Sequence, residues 1–181
     1  NMLYYTFYRS APAKLGFAGI EDGIARALAC GPFRQEVLAI LRMNLAQIDF
    51  VDRGNPFPYA CPLDVHCRYS LDQVLAAFGY WNEEKAPHFQ EGVKYFEEKA
   101  TDIFFITLNK SAKDFSPSTL YEDYAINERL FHWQTQSRTA ETSPTAQRYI
   151  HHKQMGTRVA LFVREYKEEN NYTAPFVFLG E

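Results

Sequence analysis

The sequence predicts an α+β fold, in which an N-terminal helical segment precedes a mostly antiparallel, partly open β-barrel. Three observations favour this class. Apolar residues recur at helical spacing in the first part of the chain, they alternate from Gly92 onward, and Ser143-Pro144 marks a short helix among the later strands. Helices followed by strands of this kind are typical of α+β domains and of partly open barrels.

The helical part predicts three helices. They are Ile20–Cys30, Phe33–Phe50 and Leu71–Phe78. Gly31-Pro32 separates the first two, because proline suits the start of a helix. The stretch 52–62 contains two clusters of glycine and proline and is the best candidate for a domain boundary. We therefore expect a helical connector over residues 1–60 and a β-rich domain over residues 61–181.

The second part predicts a series of strands. They are Gly92–Glu97, Thr101–Leu108, Leu130–Gln136, Thr157–Tyr166 and Ala174–Leu179. The first two read as a hairpin, and the continuous apolar run at 103–106 suits a buried strand. We expect one curved, mostly antiparallel sheet that packs against the helix at 71–78.

Composition excludes several classes of protein. The chain has 181 residues, of which 46% are hydrophobic and 23% charged, as in ordinary globular domains. No apolar run approaches the roughly 20 residues of a membrane span, so no membrane partner is expected. No signal peptide opens the sequence, and its three cysteines lack the spacing of a zinc site, which predicts a cytoplasmic protein. The Asn1-Met2 start predicts a fragment of a longer chain, and no motif implies a cofactor.

Charge is distributed unevenly along the chain. Between residues 129 and 164 the sequence has six lysine and arginine residues against the single acid Glu141, a net charge of +5. The whole chain carries −3, so the remainder carries −8. A basic C-terminal region beside an acidic N-terminal one predicts a local site for an anion rather than a protein that coats nucleic acid.

The window Tyr121–Gln136 combines aromatic, acidic, histidine and amide side chains. As a strand, residues 130–136 alternate, with Phe131 and Trp133 on a face that suits a core. Leu130 and His132 then fall on the opposite face, together with two glutamines. That face carries donors and acceptors that could contact a flat polar ligand.

The same window resembles a known family. Several segments are similar to a bacterial C-terminal domain found behind superfamily-2 helicase cores. They are Tyr121–Ile126, Leu130–Gln134 and Ser143–Thr145, together with stretches at 102–109, 113–117 and 158–165. The similarity covers about residues 60–180. Its best understood members resemble type IV restriction proteins, with a phospholipase-D-like nuclease, a helicase motor, a helical connector and an SRA-like (SET- and RING-associated-like) module for modified cytosine.

The resemblance implies an SRA/PUA-like partly open barrel that binds double-stranded DNA with a modified cytosine, 5-methyl or 5-hydroxymethyl. The helicase and nuclease domains of the same parent chain are the other implied partners, and the fragment itself is not expected to be an enzyme. The similarity continues past Gly180, so one edge strand is expected beyond this sequence.

Base flipping predicts the residue types of the site. Extracting a base costs a few kcal/mol, which stacking and hydrogen bonds to the base edge offset. Flat aromatic side chains and one carboxylate or amide are therefore needed, and Asp123 could accept from the cytosine amino group. The predicted base-binding residues are Tyr121, Asp123, Tyr124, His132, Trp133, Gln134 and Gln136.

A second group of residues is predicted to contact the DNA backbone. The helix that starts at Ser143 offers backbone N–H groups, and basic residues follow on the same element. The predicted set is Arg138, Ser143, Thr145, Arg148, His152 and Lys153. A solvated basic face on an amphipathic helix would show the same pattern.

Selectivity for a methyl group cannot come from the edge-reading residues, because methylation leaves the Watson–Crick edge of cytosine unchanged. An apolar notch beside the 5-position is needed, walled by Tyr121, Tyr124 or Trp133. One methylene in a tight pocket is worth about 1–3 kcal/mol, so we expect a preference from a few-fold to about a hundredfold.

Two other functions fit the sequence. The first is a structural or regulatory domain of a helicase that uses the window as its core. The second, less favoured, is a metal-dependent nuclease, whose oxygen and imidazole ligands would be Asp114, Glu122, Asp123, Glu128 and His132.

Overall fold

The computed structural model describes residues 1–47, 56–110, 123–127, 130–135, 139–169 and 172–181. These residues form two compact units. The first contains the described residues up to 47 together with 61–63 and 71–89, and the second contains 56–60, 64–70 and the described residues from 90 onward. The helix at 71–77 is grouped with the N-terminal helices.

The first unit is helical. Its elements are α1 (Met2–Tyr8), a 3₁₀ turn (Pro12–Leu15), α2 (Ile20–Ala29), α3 (Gly31–Gln47) and α4 (Leu71–Ala77). The prediction of helices at 20–30 and 71–78 is confirmed, and α3 begins two residues earlier than predicted. The helix α1 was not predicted. It packs against α4, which the sequence had placed under the sheet.

Aromatic side chains form the core of the helical unit. Tyr4 and Tyr5 are fully buried on α1, and the Tyr5 ring lies 5.0 Å from the Trp81 ring. The Tyr5 hydroxyl donates to the Asn82 carbonyl oxygen, and Arg9 pairs with Asp72 of α4. The two large buried rings account for the tight packing of this short helix, although among the described residues the buried Tyr4 hydroxyl has no hydrogen-bond partner.

Replacing Gly23 of α2 by alanine is expected to destabilise the helical unit by about 1–3 kcal/mol. A Cβ atom there would lie 2.5 Å from the buried Tyr4 ring and 3.0 Å from the Phe17 ring. Thermal unfolding followed by circular dichroism measures the change. Gly31→Ala is the matched control: a Cβ at Gly31 meets nothing within 4 Å, and we expect it to be neutral or stabilising. Equal effects of both substitutions would contradict the packing described for α2.

The second unit contains a five-stranded sheet. Its strands are β1 (Arg68–Tyr69), β2 (Val93–Phe96), β3 (Thr101–Thr107), β6 (Arg158–Arg164) and β9 (Phe176–Gly180), in the order β1-β9-β6-β3-β2. Three of the four pairings are antiparallel, which confirms the prediction of a mostly antiparallel sheet. The central pair, β3 with β6, is parallel and was not predicted.

The sheet is open rather than closed into a barrel. Among the described residues its edges are β1 and β2, and these two strands do not pair with each other. A barrel requires its edge strands to pair, so the expectation of a partly open barrel is corrected to an open sheet. Two small hairpins, β4–β5 (Tyr124–Ala125 and Phe131–His132) and β7–β8 (Glu168–Glu169 and Tyr172–Thr173), and two short helices, α5 (Pro144–Ile150) and α6 (His152–Met155), complete the unit.

Register assigns the side chains of the central strands to two faces. Phe105 is paired with Phe162, and Phe162 stacks on Phe178 with ring centroids 4.7 Å apart. Phe57 continues this stack, 5.7 Å from Phe178. The opposite face carries Phe104, Ile106 and Val163, a buried cluster against which residues from the β4–β5 hairpin and α5 pack. This second face positions the candidate site.

Candidate functional site

The β4–β5 hairpin carries the part of the predicted base-binding set that the structure describes. Tyr124 is paired with His132 and Ala125 with Phe131, and the Ile126 N–H donates to the Leu130 carbonyl oxygen at 2.8 Å. Because side chains alternate along a strand and match across a pair, four of them share one side. We call this side the hairpin face: Tyr124, Ile126, Leu130 and His132.

The other side of the hairpin points into the core. Phe131 and Trp133 pack against the cluster of Phe104, Ile106 and Val163. The Trp133 ring lies 4.2 Å from the Phe104 ring and 5.6 Å from the Tyr149 ring of α5. The predicted alternation is therefore confirmed at residues 130–133, and Trp133 contributes to the core rather than to an open aromatic surface.

The hairpin face is exposed and mostly apolar. Tyr124 is 49% exposed, and its ring stacks on the His132 ring at 4.8 Å with an angle of 28° between the planes. Ile126 and Leu130 are 56% and 58% exposed beside this pair. A stacked pair with one open side offers a flat surface on which a further ring could lie.

Asp123 lies just before the hairpin and is buried. Its Oδ2 accepts from the Lys110 ammonium at 2.7 Å, and its Oδ1 accepts from the Gln134 backbone N–H at 3.0 Å. Both side chains of the ion pair are buried, with 8% exposure for Lys110 and 2% for Asp123. The carboxylate is thus engaged by the protein itself, and reading a cytosine edge would require this pair to break. Gln134 has an exposed side chain next to it.

A second buried ion pair joins α5 to β3. The Arg148 guanidinium donates to both oxygens of the fully buried Asp102, at 2.7 and 2.9 Å. It also lies 3.8 Å from the centre of the Tyr95 ring. Burial raises the pKa of the Asp102 carboxyl, and the hydrogen bonds from Arg148 oppose that shift. The Arg148 guanidinium therefore binds within the protein and is not available to contact a phosphate in this structure.

The start of α5 agrees with the sequence. Ser143 is the N-cap residue and accepts from the Ala146 N–H at 3.2 Å, with Pro144 in the first helical position. Thr145 is half-buried. Burial and the nearby Asp102 charge raise the pKa of Tyr149 to about 12, so its phenol stays neutral near pH 7. The helix is anchored by its cap and by Arg148 before any ligand binds.

The remaining predicted backbone residues differ in availability. Lys153 is exposed on α6, whereas His152 is half-buried with its Nδ1 2.9 Å from the Tyr149 carbonyl oxygen. Two further arginines of the basic segment, which are outside the predicted set, also have internal contacts: Arg158 pairs with Glu181 at 2.6 Å, and Arg164 donates to the Thr107 hydroxyl at 2.9 Å. Much of the basic segment is thus bound within the unit. Tyr121, Gln136 and Arg138 lie outside the described residues.

Sequence reasoning missed Lys110 and Asp102. The sequence does contain a signal for Asp102, because this residue directly precedes the apolar run at 103–106 in the same strand. A carboxylate in such a strand is buried and needs a cationic partner. Lys110 carries none, since a lysine after a strand is usually solvated.

A metal-ligand cluster and a membrane-spanning helix are both absent from the described residues. Within these residues, no three histidine, cysteine or acidic side chains come close enough together to hold a metal ion. The candidate ligands Asp114, Glu122 and Glu128 lie outside them. In the same part of the chain, no helix has both the length and the apolar character needed to cross a membrane.

Residues 63–181 match a known protein family. The model of a domain of unknown function, DUF3427, matches residues 63–181, which include the whole sheet and the hairpin. This domain is found in helicase-associated proteins, which confirms the resemblance at that level. No curated protein and no solved structure matches the chain.

Proposed function

This chain belongs to the DUF3427 family, and on that premise we propose that its sheet unit is a DNA-binding module that reads a modified cytosine. The module takes one base out of the duplex and stacks it on Tyr124. The module is part of a helicase-linked restriction protein, in which other domains provide the motor and the nuclease.

The exposed Tyr124–His132 pair carries this proposal. Its rings are stacked at 4.8 Å, and Tyr124 keeps about half of its surface open to solvent. Stacking a base on an aromatic side chain contributes about 1–3 kcal/mol, comparable with the few kcal/mol that extrusion costs. His132 holds the Tyr124 ring in place beforehand, so less side-chain entropy is lost when a base binds.

Two aliphatic side chains supply the apolar environment that a methyl group requires. Ile126 and Leu130 flank the stacked pair and are more than half exposed. Contact of a 5-methyl group with either one would bury about one CH₂, worth roughly 0.8 kcal/mol, and a tight fit raises this toward ~3 kcal/mol. These residues replace Trp133, which lies in the core, as proposed walls of the notch, and Tyr121 lies outside the described residues.

Lys153 is the proposed contact to the phosphate backbone. Its side chain is exposed on α6, whereas Arg148 is bound to Asp102. One phosphate contact accounts for roughly one unit of salt slope.

The exposed apolar residues of α3 support a connector role for the helical unit. Leu38, Leu41 and Leu45 are 42%, 55% and 71% exposed, and no described residue of α3 is buried. We propose that a neighbouring domain of the parent chain covers them.

A structural domain is the second candidate, and one observation favours it. Asp123, Arg148 and Trp133, all predicted to bind DNA, are engaged in internal contacts. On that view the hairpin face would contact another part of the parent chain and not a base.

Competition binding at fixed salt separates these functions. Matched duplexes contain one 5-methylcytosine, one 5-hydroxymethylcytosine or only unmodified cytosine, and fluorescence anisotropy gives the affinities. We expect methylated DNA to bind more tightly than plain DNA by a factor from a few to about a hundred. Equal affinities would exclude the modified-base function, and the absence of any binding would favour the structural domain. Cleavage of plasmid with magnesium or manganese would instead indicate a nuclease.

Tyr124→Ala is expected to weaken binding of methylated duplex by about 5- to 150-fold, the equivalent of ~1–3 kcal/mol of stacking. Its stability should change by less than about 0.5 kcal/mol, since the ring is half exposed. Tyr166→Ala is the matched control, because Tyr166 is 51% exposed elsewhere in the same unit. If both variants bind like the wild type, Tyr124 does not stack on the base.

A further inference from the structure

We propose that Asp123 and Lys110 form a clamp that positions the hairpin face for base stacking. The inference rests on the proposed function and deepens it. It assigns to Asp123 a positioning role in place of contact with the base.

One carboxylate connects three parts of the unit. Asp123 directly precedes Tyr124, so it fixes the first strand of the hairpin. Its Oδ1 accepts from the Gln134 N–H at 3.0 Å, which fixes the chain just after the second strand. Its Oδ2 accepts from Lys110 at 2.7 Å, which ties both strands to the end of β3.

Lys110 is itself held by the central sheet. The N–H groups of Leu108 and Asn109 donate to the carbonyl oxygens of Arg164 and Glu165, at 3.0 and 2.8 Å. These bonds continue the parallel β3–β6 ladder beyond its last paired residues. Lys110 therefore directly follows two residues whose N–H groups bond to the chain at the end of β6.

The hairpin depends on such an anchor. Each of its strands has only two residues, and an isolated two-stranded hairpin is marginally stable in water. The inner side chains Phe131 and Trp133 hold it against the sheet, but they lie on the second strand and beyond it. Among the described residues, Asp123 connects the Tyr124 strand to Lys110, which follows β3.

Burial makes the clamp sensitive to loss of either charge. Both partners are more than nine-tenths buried, so salt and water screen the pair little. Removing the Lys110 ammonium leaves the Asp123 carboxylate buried without this counter-charge, and neutralising Asp123 removes the attraction that holds the hairpin to Lys110; either change favours an open hairpin. If only about a tenth of the molecules keep the competent hairpin, apparent affinity falls about tenfold.

The test uses Asp123→Asn, Lys110→Met and the double variant. Asparagine keeps an oxygen for the Gln134 N–H and removes only the charge. Affinity for methylated duplex is measured at a low temperature where circular dichroism shows each variant folded, and amide hydrogen exchange is measured without DNA. We expect each single variant to lose about tenfold in affinity, with faster exchange at Ile126 and Gln134 and unchanged exchange along β3 and β6. The double variant should lose less than the product of the two single losses, because the two residues act on one contact.

Asp22→Asn is the matched control, since it makes the same chemical change in the exposed Asp22–Arg26 pair of the helical unit. It should change neither readout. Unchanged affinity and unchanged hairpin exchange in Asp123→Asn and Lys110→Met would overturn the clamp, as would faster exchange spread evenly over the sheet. If wild type binds no DNA, the proposed function fails, and hairpin exchange alone then decides whether the clamp exists.

Discussion

Replacing Arg148 by alanine is expected to destabilise the sheet unit by about 3–5 kcal/mol. The substitution leaves the carboxylate of Asp102, which is fully buried on β3, without the two hydrogen bonds that balance its charge. It also removes the guanidinium from the Tyr95 ring. Urea unfolding followed by circular dichroism measures the change.

The double variant Asp102→Leu with Arg148→Met is the informative partner of this experiment. Buried ion pairs are often replaced by apolar side chains at little cost, so the double variant should be more stable than Arg148→Ala. Lys153→Ala is the surface control and should alter stability by less than about 0.5 kcal/mol while lowering the salt slope of DNA binding by roughly one. A salt slope lowered by Arg148→Ala, with stability unchanged, would show that Arg148 contacts phosphate after all.

Replacing Trp133 by alanine is expected to cost about 3–5 kcal/mol of unfolding free energy. Its ring packs against Phe104 at 4.2 Å and Tyr149 at 5.6 Å, so truncation leaves a cavity between the hairpin, α5 and the sheet. Trp133→Phe should recover much of the loss by keeping an aromatic ring. Wild-type stability of Trp133→Ala together with lost DNA binding would instead assign this ring to the base.

The spacing of apolar residues and the capping motifs in the sequence predicted the positions of most helices and strands. The loss of helical spacing after Gly92 located β2, β3, β6 and β9. Alternation marks a strand that is buried on one face, whereas the continuous apolar run of β3 marks a strand that is buried on both. Alternation also placed Phe131 and Trp133 in the core and Leu130 and His132 outside it. The N-cap at Ser143 followed from its hydroxyl and the proline after it.

Contacts between distant parts of the chain were not predictable in this way. The parallel pairing of β3 with β6 joins Thr101 to Arg158, and neither strand's pattern specifies its neighbour. Arg148 and Asp123 have the residue types that phosphate and cytosine would favour, but their partners Asp102 and Lys110 are 46 and 13 residues away along the chain. The sequence indicates that a buried charged side chain needs a partner of opposite charge. Only the folded structure shows that this partner is another residue of the protein.

Photo-cross-linking tests most directly whether a base stacks on Tyr124. A duplex with a single 5-iodocytosine at the modified position is irradiated with the protein, and the linked peptide is identified by mass spectrometry. We expect the cross-link on the hairpin face, at Tyr124, with strong loss in Tyr124→Ala and none in Tyr166→Ala. A cross-link that maps elsewhere in the chain, or one that Tyr124→Ala leaves undiminished, would contradict base reading by the hairpin face.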